Sequence, residues 1–280
     1  MPGTLVLCAT PIGNLSDAPP RLREALGTAD VVYCEDTRRS GKLMTALGLK
    51  VRLRSYFVAN EDARALELAD HLRAGKTVAL ITDAGMPAIA DPGLTAVKAA
   101  VEVGATVTIV PGPSAVTAAV AVSGLPSERF AFEGFLPRKQ EQRAARLEEL
   151  ADEPRTMVFF IAASRAGAEL AAIARVCGHD RAAVVARELT KLHEEVWRGT
   201  ISAAAAHYTD NPPKGELTVV IAGAPELTGD LEAAVTLVRR FVAEGVLFSE
   251  AVKRVADAHG VRRRLLYEAA RRRPDSDAGP

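Results

Sequence analysis

Short runs rich in Val, Ile and Leu, most of them uninterrupted, recur along the first 123 residues, each followed by a segment with helical spacing. The apolar runs are Thr4–Ala9, Val31–Cys34, Val51–Ser55, Val78–Thr82 and Thr106–Val110. The helical segments are Arg21–Leu26, Lys42–Leu47, Ala63–Ala74, Leu94–Val103 and Ser114–Val122. Strands that lack alternation are those buried on both faces of a parallel sheet. The pattern therefore predicts a doubly wound α/β domain over residues 1–123. A second α/β cycle is predicted over 124–226. Its strands are Phe130–Phe135, Thr156–Ile161, Ala183–Arg187, Glu194–Arg198 and Leu217–Ala222, and its helices Gln140–Ala151, Arg165–Val176 and Ser202–Tyr208. Only Glu188–His193 separates two of these strands, which predicts a hairpin and a mixed sheet.

From 227 to 280 nothing reads as a strand. Ser249–Ala258 and Arg262–Arg272 read as helices flanking a Gly260-Val261 turn, the form of a helix-turn-helix. Between Ser249 and Arg273 stand eight basic residues against three acidic ones, on a chain whose 35 basic and 35 acidic residues otherwise cancel. Net charge therefore says nothing of nucleic acid, but this local excess suits a polyphosphate backbone.

Three scattered cysteines, Cys8, Cys34 and Cys177, read as buried thiols, and no His or Cys spacing suits a metal. The first eight residues lack a basic leader, and no run nears the roughly 20 apolar residues of a membrane span. The expectation is a cytoplasmic protein.

Ligands of open parallel sheets sit at the carboxyl ends of the strands. Thr10-Pro11-Ile12-Gly13-Asn14-Leu15 follows the first strand and is not a dinucleotide fingerprint. After the second comes Glu35-Asp36-Thr37-Arg38-Arg39. It reads either as a helix cap with a solvated ion pair or as an arginine grip on phosphate, with a carboxylate beside a sugar hydroxyl. Asp83-Ala84-Gly85-Met86-Pro87 and Asp91-Pro92-Gly93 follow the fourth, where small residues let a backbone approach a ligand and Asp83 offers an acceptor. Pro111-Gly112-Pro113-Ser114 follows the fifth, Ser114 being placed to cap a small-residue helix at the domain junction. In the second domain, Arg187-Glu188-Leu189-Thr190-Lys191 and Lys214-Gly215-Glu216 bring opposite charges to strand ends.

These segments, with Gly124-Leu125-Pro126-Ser127-x-Arg129-Phe130 and Glu133-Gly134-Phe135-Leu136-Pro137, resemble in order the ribosomal RNA small subunit methyltransferase I family of the tetrapyrrole methylase superfamily. The resemblance spans about residues 4 to 270. It implies two α/β domains with S-adenosylmethionine in the cleft between them, and 2′-O-methylation of a cytidine ribose in the decoding centre of 16S rRNA within the 30S subunit. A homodimer without metal is implied as well. On that basis Pro11, Gly13, Asp83, Gly85, Pro87, Pro111, Gly112, Lys214 and Glu216 are expected at the cofactor. Arg38 and Lys191 are expected at RNA phosphate, with Asp36 or Glu188 near the hydroxyl and nothing to rank the two. Arg39, Arg262, Arg263, Arg264 and Arg271 are expected along the RNA. Two features depart from the family pattern: Ile161 stands where a glutamate is usual, so any cofactor or RNA contact made by that glutamate is lost, and the tail Arg262-Arg263-Arg264-Leu265-Leu266-Tyr267 is more basic than usual, which strengthens phosphate contacts. Other readings stay open: a relative acting on a small molecule, an RNA-binding module without catalysis, and a DNA-binding regulator using the helical tail.

Overall fold

The computed structural model describes residues 1–225, 230–261 and 263–272. The chain falls into two compact units, Met1–Ala151 with Arg155–Ala222, and Asp152–Pro154 with Gly223–Pro280. Both sheets lie in the first unit.

The first sheet is parallel throughout. Its strands β1 (Thr4–Cys8), β2 (Val31–Cys34), β3 (Leu53–Ser55), β4 (Thr77–Ile81) and β5 (Thr106–Val110) lie in the order β3-β2-β4-β1-β5. Side chains of successive strand residues leave by opposite faces. Val6, Cys8, Val32, Cys34 and Ile81 meet helices α1 (Pro20–Thr28) and α2 (Thr37–Ala46), which contribute Leu22, Leu26, Leu43 and Met44. Leu5, Tyr33, Val78 and Leu80 meet α3 (Glu61–Arg73) and α4 (Leu94–Glu102) through Leu68, Leu72, Ala96 and Ala100. Each fully buried leucine contributes about 1.5–3 kcal/mol, so these two layers hold the sheet between them. The three cysteines are free and buried.

One strand departs from the sequence reading. β5 is apolar enough to be buried on both faces, yet Thr106 to Ile109 are exposed and only Val110 is buried. The cause is the helix that follows. Instead of folding back over this edge strand, α5 (Ala115–Ser123) crosses to the second sheet.

That second sheet contains β6 (Phe130–Phe135), β7 (Thr156–Ala162), β8 (Ala182–Arg187), β9 (Glu195–Thr200) and β10 (Glu216–Ile221), in the order β6-β7-β10-β8-β9. β6 and β7 are parallel and the remaining pairs antiparallel, with β8 and β9 forming the expected hairpin. On one face α6 (Gln140–Leu150), α7 (Ala166–Cys177) and α8 (Ile201–Asp210) cover Met157, Phe159, Val185, Val219 and Ile221. On the other, Val116, Ala119 and Val120 of α5 pack against Val158, Val184, Ala186 and Val220. Ser114 occupies the N-cap position of α5 but makes no side-chain cap; its carbonyl accepts from the Ala118 amide (3.0 Å) and the Thr117 hydroxyl (3.3 Å) instead. Ile161 belongs to the helix-covered face and is 1% exposed, turned away from α5. An aliphatic side chain is what that position accommodates.

The second unit is helical. α9 (Leu231–Ala243), α10 (Phe248–His259) and α11 (Arg263–Arg271) share a core of Val238, Val252, Val255, Val261 and Leu266. Asp230 caps α9 by accepting from the Glu232 and Ala233 amides. Gly260 ends α10 at φ 58°, a left-handed cap that turns the chain into α11. Among the described residues no helix is long and apolar enough to cross a membrane.

Candidate active site

The loops after β1, β4 and β5 are neighbours because their strands are. Thr10 and Gly85 exchange backbone hydrogen bonds (2.9 and 3.1 Å), and the buried Thr10 hydroxyl donates to the Thr82 carbonyl at 3.2 Å. Gly85 sits at φ 80°, in the left-handed region where glycine is unstrained. A side chain at Gly112 would begin 2.9 Å from Ala9 Cβ, so the β5 turn lies directly on the end of β1. Pro11, Gly85, Pro111 and Gly112 thus form one close-packed crest, with Pro87 buried beside it.

Of the two sequence readings of the β2 loop, the helix cap with an ion pair is the one the structure displays. Asp36 caps α2 by accepting from the Arg38 amide at 2.8 Å. The same carboxylate takes the Arg38 guanidinium as a fork, at 2.8 and 3.2 Å. These hydrogen bonds, side chain first, hold the Asp36 carboxyl well below the usual range. Arg38 is 88% exposed, so its outer donors face solvent. Asp83 is less open to a ligand than its position at a strand end suggests. One oxygen accepts from the Asp36 amide (3.0 Å) and the other pairs with Arg39 (3.1 Å).

The sequence reading passed over two carboxyls. Glu35 accepts from the Asp83 amide at 3.3 Å, and burial pushes its pKa up. Asp91 comes back towards it because the loop after β4 doubles over. Ala88 (φ 67°) and Ala90 (φ 60°) are left-handed, and the Ala88 amide bonds the Pro92 carbonyl at 3.2 Å. Burial first, then the charge of Glu35, raises Asp91 to about 7; Asp83 and Glu216 add to the rise and the Thr82 hydroxyl opposes it. The doubled loop was visible in sequence only as Asp-Pro-Gly, a turn signal that gives no hint of which carboxylates it would meet.

From the other lobe, the β8–β9 hairpin brings Glu188 and Lys191 together at 2.9 Å. Glu188 Oε1 also accepts from the Glu216 amide at 3.3 Å. Burial raises the Glu188 carboxyl, but these two bonds outweigh it and hold the group below its ordinary value. Glu188 (φ 52°) and Thr190 (φ 66°) are both left-handed, strain of a kind that clusters at functional sites. The two lobes meet here: a side chain on Gly13 would collide with Lys191 Cγ and come 3.1 Å from Thr190 Oγ1. That buried Thr190 hydroxyl has no hydrogen-bond partner among the described residues.

Asp36, Arg38, Arg39, Asp83, Gly85 and the crest are therefore one connected set, joined through Gly13 to Glu188 and Lys191, and through Asp91 to Glu216. Lys214 is exposed just ahead of Gly215. Arg263 and Arg271 are exposed on α11 in the separate helical unit, where Arg264 is also carried; Arg262 lies outside the described residues. No group of three or more His, Cys, Asp or Glu side chains that could hold a metal ion occurs among the described residues.

Residues 4–205 match the family model of the tetrapyrrole (corrin/porphyrin) methylases. A ribosomal RNA small subunit methyltransferase I of Mycobacterium tuberculosis is 47% identical over 281 aligned residues, covering 99% of this chain and 98% of that one. A protein of the same name from a Synechocystis species is 43% identical, covering 95% and 96%. In fold, the chain is similar to a uroporphyrin-III C-methyltransferase from Thermus thermophilus solved in complex with S-adenosyl homocysteine. The TM-score is 0.55 at 18% identity, over 78% of this chain and 96% of that one. Matched over most of its length at these identities, the chain belongs to the ribosomal RNA small subunit methyltransferase I family of the tetrapyrrole methylases.

Proposed function

We propose that this protein transfers a methyl group from S-adenosylmethionine to the ribose 2′-oxygen of a cytidine in the decoding centre of 16S rRNA. The observation that carries this reading is the pairing of two exposed-edge cations, Arg38 and Lys191, each with its own carboxylate, on opposite lobes joined at Gly13. A cation tethered by a carboxylate is pre-aimed, and guanidinium binds phosphate oxygens as a fork.

The residues present fit the cofactor. The glycine crest leaves backbone groups approachable, the Thr190 hydroxyl lacks a partner among the described residues, and the carboxyl groups of Glu35, Asp91 and Glu216 gather nearby. S-adenosylmethionine supplies a methyl on a sulfonium, reactive without further activation. The protein holds donor and acceptor in line, which lowers the barrier by prepaid entropy. Pro11, Gly13, Gly85, Pro87, Pro111, Gly112, Lys214 and Glu216 are proposed to line the cofactor, and Arg38, Arg39 and Lys191 to grip RNA phosphate. Asp36 and Glu188, both held low by their cations, serve to aim Arg38 and Lys191. Neither is poised to accept a proton. Asp91, raised to about 7 by burial and the charge of Glu35, stands in the same loop as Gly85 and Pro87.

We further propose that the protein is a cytoplasmic homodimer closed over β5. This five-residue edge strand exposes Val107 (36%) and Ile109 (41%) on one face, apolar surface that a second copy would cover. An Ile109→Lys variant sedimenting as monomer supports that assembly; an unchanged sedimentation profile refutes it.

The function is tested with purified protein, radiolabelled S-adenosylmethionine and 30S subunits from cells lacking the activity. Label on one decoding-centre ribose 2′-oxygen is expected. Cofactor binding without label on 30S subunits would assign a different substrate, and no cofactor binding would leave an RNA-binding module.

A further inference from the structure

The helical unit has a groove of its own, distinct from every residue discussed at the crest. A cavity of about 450 Å³ opens between α9 and α11, lined by Arg239, Val242, Phe248, Tyr267, Ala270 and Arg271. That volume lies within the range that holds a small organic ligand. Its floor is apolar and aromatic: Phe248 and Tyr267 meet edge to face with ring centroids 5.0 Å apart. Its rim is basic, and the two arginines come from different helices. Arg239 is held across the groove by donating to the Arg272 carbonyl at 2.7 Å, which fixes one cation at the mouth. Tyr267 is 39% exposed and Val242 39%, although both stand beside a packed core.

We infer that this groove takes a single unstacked nucleotide of a single-stranded RNA segment, its base against Tyr267 and its phosphates between Arg239 and Arg271. Aromatic faces beside cations are what single-stranded nucleic acid selects, because every base offers a π-face and every linkage a charge. A duplex would leave Tyr267 idle, since its bases are stacked inward. An acidic or apolar peptide would use the rim or the floor but not both. The inference rests on the RNA-methylating reading above and deepens it by assigning the helical unit a base-holding role rather than a diffuse charge attraction.

The test uses the full-length protein and an end-labelled short oligocytidylate, followed by fluorescence anisotropy across a salt series. Tyr267→Ala is expected to weaken binding about tenfold, the effect of losing one stacked base, while Tyr267→Phe binds as the parent does. Arg271→Ala is expected to lower the slope of log affinity against log salt by about 1. Arg271 is exposed, so that variant keeps its fold, and a melting curve confirms it for Tyr267→Ala. Cofactor binding and methylation of 30S subunits are measured in parallel. If the parent methylates 30S subunits but Tyr267→Ala and Arg271→Ala bind oligocytidylate unchanged, the groove inference is overturned and the methylation reading stands. If the parent neither methylates 30S subunits nor binds oligocytidylate, both fall. Equal loss in Tyr267→Ala and Tyr267→Phe would also overturn it, because stacking does not need the hydroxyl.

Discussion

The side chain of Lys191 lies across the bare α-carbon of Gly13, so that the second lobe's hairpin rests on the first lobe's opening turn. Gly13 is not left-handed, and alanine carries no backbone penalty there. Gly13→Ala should lower the melting temperature by a few degrees, because its Cβ meets Lys191 Cγ near that residue's backbone, and should displace the Lys191–Glu188 pair. Misplacement of a positioning group by about 1 Å costs up to 100-fold in rate. Steady-state methylation of 30S subunits should show kcat/KM lowered at least tenfold; an unaltered value would separate Lys191 from the reaction.

Arg38→Ala removes a guanidinium that is 88% exposed and contributes little to folding. RNA affinity should fall and its salt slope decrease by about 1, with cofactor binding preserved. Arg38→Lys should recover the charge but not the fork, giving partial methylation activity. Calorimetry with cofactor and a salt titration with RNA distinguish these effects.

Asp91 gives two pH signatures. Folding raises its pKa from 3.8 to about 7, so the folded chain holds the proton more tightly than the unfolded one. The stability this group contributes is complete below 3.8 and is lost as pH rises through about 7. Asp91→Asn should accordingly melt a few degrees higher than the parent at pH 8, a gain on the order of 1–2 kcal/mol, with no gain at pH 4. The parent's melting temperature should also fall more between pH 4 and pH 8 than the variant's does. An equal dependence in both would show that Asp91 does not hold its proton in the fold.

Gly215 stands at φ 87° directly under the Glu188 carboxylate, and a side chain there would strike Oε1. Gly215→Ala combines a left-handed alanine with that collision. A loss of about 1–3 kcal/mol in denaturant titration is expected, with Lys191 freed from its partner.

The strands and helices were readable because burial leaves its period in the sequence. β2 and β6 match their predicted bounds, and the β8–β9 hairpin falls where Glu188–His193 places it. β5 was grouped with the covered strands although its Thr-Val-Thr-Ile alternates, and the helix that follows it went elsewhere. At the site, the motifs located Asp36, Arg38, Glu188 and Lys191 but not who holds whom. Asp83 looked like a free acceptor, and only the fold shows Arg39 and the Asp36 amide upon it. Asp91 was illegible for a related reason. Its raised pKa arises first from burial and then from Glu35, which lies far away along the chain and meets it only once the β2 and β4 loops are folded together.

α5 has two allegiances, following β5 in the chain while resting on β7, β8 and β10. A chimera between two members of this family that is cut after Ser123 would hand one parent's Val116, Ala119 and Val120 to the other parent's sheet. A cut after Val110 instead transplants helix and sheet together, and exchange of whole lobes, if evolution or an engineer attempts it, should succeed at that seam.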